Sequence, residues 1–117
     1  MNDFSITKLT IVDKYGNPVN RPYVLKGGAN VFKCIATYLD GTTIGFSPFW
    51  TCPIVIRNTR VVKIDAWGVL GPNKRSEVTI NAARNHERYT ELACWVSPPE
   101  NNLNLPYDSI GFDYTAV

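Results

Sequence analysis

The chain has 117 residues, a formal net charge of +2, 8 glycines, 8 prolines, 3 cysteines and 1 histidine. Such a length fits one domain able to bury roughly two thirds of its unfolded surface, and the lack of low-complexity or like-charge tracts argues against a disordered chain. The start, MNDFSITKLTIVDK, does not read as a signal peptide, no apolar run approaches the about 18 residues of a membrane span, and Met1 is read as the start of a complete small protein.

Alternation of apolar and polar residues, the mark of half-buried strands, runs the length of the chain. The predicted strands are 5–12 (SITKLTIV), 22–25, 30–38 (NVFKCIATY), 44–51, 60–66 (RVVKIDA), 76–82 (SEVTINA), 89–97 (YTELACWVS) and 109–116 (SIGFDYTA). Between them stand the turn signals KYGNP, KGG, LDGT, Trp67-Gly68, LGPNK, ARNHE and PPENN. The one helical pattern, NAARNHERYTEL, is short and lies between better strands. Strands at this spacing without intervening helices predict an all-β fold, a single antiparallel β-sandwich or barrel.

Parity assigns the faces. Phe32, Cys34, Ala36 and Tyr38 share one side of their strand, and Leu92, Cys94 and Val96 share one side of theirs, with Trp95 opposite. Val62, Ile64 and Ala66, and likewise Val78, Ile80 and Ala82, form two more apolar faces. Cys34 and Cys94 therefore point toward the predicted core. Such a pair suits inert packing, a metal site, a redox pair or the pin between two sheets.

Charge is polarised along the chain. Residues 57–88 carry Arg57, Arg60, Lys63, Lys74, Arg75, Arg84 and Arg88 against Asp65, Glu77 and Glu87; residues 91–117 carry Glu91, Glu100, Asp108 and Asp113 with no Lys or Arg. That acidic counterweight speaks against a nucleic-acid binder. It fits solvated faces of both signs, or complementary patches between subunits.

Catalytic patterns are poor. His86 stands alone in the polar corner ARNHER, the cysteines lack C-x₂-C spacing, and no carboxylate pair stands out. GVLGPNKRS fails as a phosphate loop, since no Lys-Ser/Thr follows its second glycine directly. The expectation is a protein that is not an enzyme, with no cofactor, metal, membrane or small-molecule substrate.

Two runs carry a family resemblance: CIATYLDGTTIGFSPFWT, followed by VVKIDAWGVLG. Together they are similar to bacterial Ig-like (group 2) domains, with their "A-x-Y-x-DGT…W" and "V-x-x-ID-x-x-G-x-V-x-G" patterns, over about residues 6–96. VTINAARNHERYTELACWVS resembles an Ig E–F segment, although Leu92 stands where the Ig corner tyrosine falls and Tyr89 is out of place for it. The resemblance implies an Ig-like sandwich in which Cys34 and Cys94, with Trp50 between them in sequence, face each other close enough to form a disulfide. It also implies a structural or binding role in a tailed-phage virion, first as a capsid decoration protein and next as a tail or collar component. Partners would be capsid or other virion proteins, or copies of the chain itself, in a virion assembled in the host cytoplasm. The rival implication is an adhesin module on a bacterial cell surface.

The candidate interface follows from the remaining residues. Trp95 faces away from the core and Trp67 sits at a turn, a placement that suits a contact surface as well as partial cover by neighbouring loops. The loop 97–108, SPPENNLNLPYD, is long for a hairpin connection and corresponds to the F–G loop of the resembled fold. Asn101, Asn102 and Asn104 offer hydrogen bonds, and Leu103, Leu105 and Tyr107 either anchor a partner or fold back as a lid on the core. Cys52 is the odd thiol, either buried or available for a link to another chain, and Pro53 is expected to end strand pairing just after it.

Overall fold

The computed structural model describes residues 5–24, 29–56, 59–64, 75–81, 87–89 and 91–113, with backbone alone at 52–56, 59–64, 81 and 87–89. Among the described residues ten strands form two sheets packed as a sandwich: β1 (Ile6–Asp13), β2 (Tyr23–Val24), β3 (Ala29–Tyr38), β4 (Thr43–Phe46), β5 (Phe49–Ile56), β6 (Thr59–Ile64), β7 (Glu77–Asn81), β8 (Glu87–Tyr89), β9 (Glu91–Trp95) and β10 (Tyr107–Asp113). Among the described residues there is no helix long and apolar enough to cross a membrane.

The first sheet is built on β3. β1 lies along one edge, and the other edge is shared, with β7 opposite Ala29–Lys33 and β4 opposite Cys34–Thr37. The second sheet runs β2-β10-β9-β5-β6, with β8 beside β9 along β5. All pairings are antiparallel except the short β2–β10 contact, which is parallel.

The inner faces follow the predicted parity. Along β3, Asn30, Phe32, Cys34, Ala36 and Tyr38 are buried while the residues between them are half-buried. Leu92, Cys94 and Val96 face them from the second sheet, joined by Trp50 and Ile110, and Ile11, Val78 and Ile80 complete the core. Burial at this level removes whole aromatic and branched side chains from water, worth about 1.5–3 kcal/mol apiece for the aliphatic residues and Phe. Trp50, 1% exposed, satisfies its indole by donating from Nε1 to the Arg75 carbonyl at 2.9 Å.

Three expectations are corrected. The run 44–51 is not one strand: β4 belongs to the first sheet and β5 to the second, and the chain crosses between them at Ser47-Pro48, with Pro48 fully buried. Proline cannot donate to a ladder, which is why pairing stops there. Pro53 does not end β5; it pairs with Val62 and the strand continues to Ile56. The register with the opposite neighbour slips by one residue between Thr51↔Ala93 and Ile54↔Tyr89, and a slip of this kind accommodates a strand proline. Third, 89–97 is divided between β8 and β9, which lie on either side of that slip. Residues 82–86, in the middle of the helical pattern, lie outside the described residues, and strands flank them.

Candidate functional site

Cys34 and Cys94 are in contact across the two sheets. Both are buried thiols, with Sγ atoms 3.8 Å apart in a weak hydrogen bond. A disulfide needs the sulfurs at about 2.05 Å, so the pair is in contact and not bonded. The hydrogen bond to Cys34 holds the Cys94 proton, burial adds to this, and the nearby Cys34 and Asp108 charges add further; together they push the Cys94 thiol well above its ordinary value of 9.0. A buried thiol held protonated in this way is a weak nucleophile. Among the described residues no group of three or more His, Cys, Asp or Glu is placed to hold a metal ion. Cys52 has only its backbone described, and Trp67 and His86 lie outside the described residues.

The aromatic and loop residues fall together. Trp95 and Tyr107 are cross-strand partners on β9 and β10, and their rings stack at 4.8 Å between centroids and 17° between planes. Trp95 Nε1 donates to Thr51 Oγ1 at 2.9 Å, so the indole is half-buried under its own neighbours. Thr51 and Tyr107 thus cover part of the indole. Tyr107 remains 59% exposed.

The 97–108 loop is folded onto itself. Pro99–Asn101 makes a 3-10 turn with proline at its start, where a missing N–H costs nothing. Asn102 is the loop's internal clamp: its Oδ1 accepts from Ser97 N at 2.9 Å and its Nδ2 donates to the Leu105 carbonyl at 3.0 Å. Asn102 therefore spends its amide inside the loop. Asn101 is exposed, and its carbonyl accepts from Ser97 Oγ. Asn104 takes a positive φ of 58°, a conformation asparagine tolerates better than most residues. The apolar trio divides: Leu105 packs against the core as a lid, while Leu103 projects 81% exposed.

A second loop accompanies it. In the LDGT hairpin Gly41 N donates to the Tyr38 carbonyl and Asp40 Oδ1 accepts from both Thr42 N and Thr42 Oγ1, with Gly41 at φ +88°. The Thr42 hydroxyl, then its N–H, lowers the Asp40 carboxyl below its ordinary value. Leu39 N donates to the Ser5 carbonyl, so the tip backbone is tied while the Leu39 side chain is 81% exposed. A shallow depression lies beside it, lined by Ser5, Tyr38, Leu39 and Asp40.

Strand directions put both loops at one end of the sandwich. The Ile11 N–H donates to Asp108 Oδ2 at 2.7 Å, which sets Asp108 at the level of the Ile11↔Cys34 pair. Four residues on, Phe112 lies 5.9 Å from Phe32. β10 thus runs against β3, and β9, antiparallel to β10, runs with it. The β3–β4 hairpin and the β9–β10 loop leave together. Among the described residues this end carries Leu39, Ile44, Leu103 and Tyr107 of the exposed large apolar residues, whereas Tyr15 and Val24 lie toward the other end.

One contact had no sequence signal. Arg21 donates to both carboxylate oxygens of Asp108, at 3.0 and 2.6 Å, and also to the Ser109 carbonyl. With the Ile11 N–H on the same carboxylate, Asp108 ties edge strand β1 to β10 and closes that side of the sandwich. Residues 21 and 108 are too far apart in the chain for periodicity to join them.

Comparison of the chain with protein-family models, curated proteins and solved structures found no match.

Proposed function

We propose that the chain is a non-enzymatic structural module of a tailed-phage virion, a capsid decoration protein, whose Ig-like sandwich attaches through the end bearing Leu39, Leu103 and Tyr107. The observation that carries the docking part is the state of that end. Its apolar side chains are exposed although the backbone beneath them is held by Asn102, Asp40 and the Leu39–Ser5 bond. Rigid loops with exposed apolar tips lose little entropy on binding, and a purely structural loop gains nothing from them.

The Ig-like assignment is supported by strand neighbours. The first half of the Cys34 strand, Ala29–Lys33, has β7 on the side away from β1, as an Ig B strand lies between A and E, while β4 takes that side along Cys34–Thr37. The Cys94 strand lies between β10 and the Trp50 strand β5, as F lies between G and C. The virion assignment rests on the CIATYLDGTTIGFSPFWT and VVKIDAWGVLG resemblance.

The test begins with the genes flanking the coding sequence. Capsid and portal genes beside it agree with the proposal, and a long secreted reading frame around it contradicts it. Capsids produced from the neighbouring gene should then bind the purified chain and not its Leu103→Asp variant. Equal binding of both would remove this end from the attachment.

A further inference from the structure

The sandwich encloses two thiols that the proposed attachment does not use. Cys34 and Cys94 are 2% and 0% exposed, and their sulfurs touch at 3.8 Å without a bond. Each sits on an inner strand. Cys34 has Ile11 on one side and Phe46 on the other, and Cys94 lies between Trp50 and Asp108. Fraying of a sheet edge therefore uncovers neither sulfur; an opening of the sandwich does.

Thiol–disulfide exchange starts when a thiolate attacks one sulfur of a disulfide, so the reagent has to reach the attacking atom. Two sulfurs buried this deeply offer no such approach, and their mutual hydrogen bond with burial keeps the Cys94 proton in place. In an opened chain both steps run. One cysteine thiolate displaces a small thiolate from a low-molecular-weight disulfide and forms a mixed disulfide. The other cysteine thiolate then attacks the protein sulfur of that bond and expels the second small thiolate. The chain gives up two electrons and two protons, and the reagent leaves as two thiols.

We infer that Cys34 and Cys94 are a folding-gated dithiol: a small disulfide oxidises the pair only while the sandwich is open, and closure of the sheets holds whichever state was formed. Folding favours the internal bond over two mixed disulfides, because it brings the sulfurs into contact and buries the space an adduct would need. The bond closes a loop spanning 60 positions, which in the chain-entropy account raises the folding constant by about three powers of ten. A chain folded among reduced thiols thus keeps two free cysteines after transfer to oxidising surroundings, and one folded among disulfides is pinned across its sheets.

Oxidised glutathione at neutral pH is the probe, with alkylation and peptide mapping to read each cysteine of the full chain separately. Cys52→Ser repeats the measurement without the third thiol. In the native chain Cys34 and Cys94 should oxidise at least about a hundredfold more slowly than in the urea-unfolded chain. Sub-denaturing urea should raise that rate as steeply as it raises the unfolded fraction. The chain oxidised in urea and refolded should carry a Cys34–Cys94 bond, resist reduced glutathione until it is unfolded, and unfold at higher urea than its reduced form. Native oxidation at the unfolded rate, or at a rate indifferent to urea, overturns the gating. A refolded chain with mixed disulfides on both cysteines, or with either bonded to Cys52 instead, overturns the pairing. A bonded chain no more stable than the reduced one overturns the pin.

Discussion

The middle of the sandwich and one of its ends use similar side chains to opposite effect. At the middle, Phe32, Cys34, Trp50, Leu92 and Cys94 are at most 2% exposed, and the Trp50 indole has its partner in the Arg75 carbonyl. At the end, Leu39 and Leu103 are each 81% exposed. The backbone around them is nonetheless held, through Asn102, Asp40 and the Leu39–Ser5 bond. Burial is where this chain stores stability; at the end, order without burial is the feature on which the proposed docking rests.

The comparison is broken most severely at the core. Trp50→Ala removes a fully buried indole and leaves the Arg75 carbonyl without its donor, and it should cost about 3–5 kcal/mol in denaturant unfolding. A loss below about 1 kcal/mol would mean that Trp50 is not the centre of the packing.

Asp108→Ala comes next. It orphans the part-buried Ile11 N–H and releases Arg21, for an expected loss of about 2 kcal/mol. Most of that cost belongs to the orphaned N–H, since Arg21 is 43% exposed and its ion pair is screened by solvent. Asp108→Asn keeps an acceptor for Ile11 and should recover more than half of the loss. Equal losses for both variants would assign the effect to charge.

Within one loop, the two leucines sharpen the contrast. Leu105→Ser should cost about 1–2 kcal/mol because Leu105 packs on the core, whereas Leu103→Ser should stay within about 0.5 kcal/mol of wild type. Thermal melts of both variants decide it, and equal destabilisation would make the whole loop a lid.

The alternation that marks strands was legible wherever polar residues interrupt it. NVFKCIATY and ELACW show their inner faces plainly, so the inward sides of β3 and β9 were legible, whereas the pairing of Cys34 with Cys94 was only an implication of the resemblance. IGFSPFWT reads as one strand because Ser47-Pro48 inside it suits an edge-strand kink as well as a crossing between sheets. The slip that lets Pro53 stay inside β5 is likewise a property of paired strands, invisible in either strand alone. At the site, residues 97–108 and Trp95 were legible from length and parity. The split between Leu103 and Leu105 and the clamp made by Asn102 were not, because they depend on how the loop closes on itself, and the placing of Leu39 at the same end depends on strand directions that neither turn reveals alone. Arg21–Asp108 belongs to the same class. For Cys52, Trp67 and His86 the comparison ends at the sequence, since their side chains are not among those described.

The smallest expected effect concerns pH and the buried thiols. The Cys94 thiol is raised in the folded chain, so the folded state holds its proton more tightly than the unfolded state does. Its contribution is fully present below the unfolded value near 9.0 and is lost as pH rises toward the folded value. The wild type should therefore lose stability above that pH faster than Cys94→Ala, with no difference in slope at neutral pH. Parallel pH profiles for the two proteins would contradict the burial described for Cys94.

Methyl cross-saturation NMR of the isoleucine- and leucine-labelled protein, mixed with capsids produced from the neighbouring gene, tests most directly that the end is the docking surface proposed and the middle is not. The account predicts saturation transferred to Leu39, Ile44 and Leu103, with Ile11, Ile80, Leu92 and Ile110 unaffected. Saturation that reaches none of the three, or that spreads evenly through the core methyls, would contradict it.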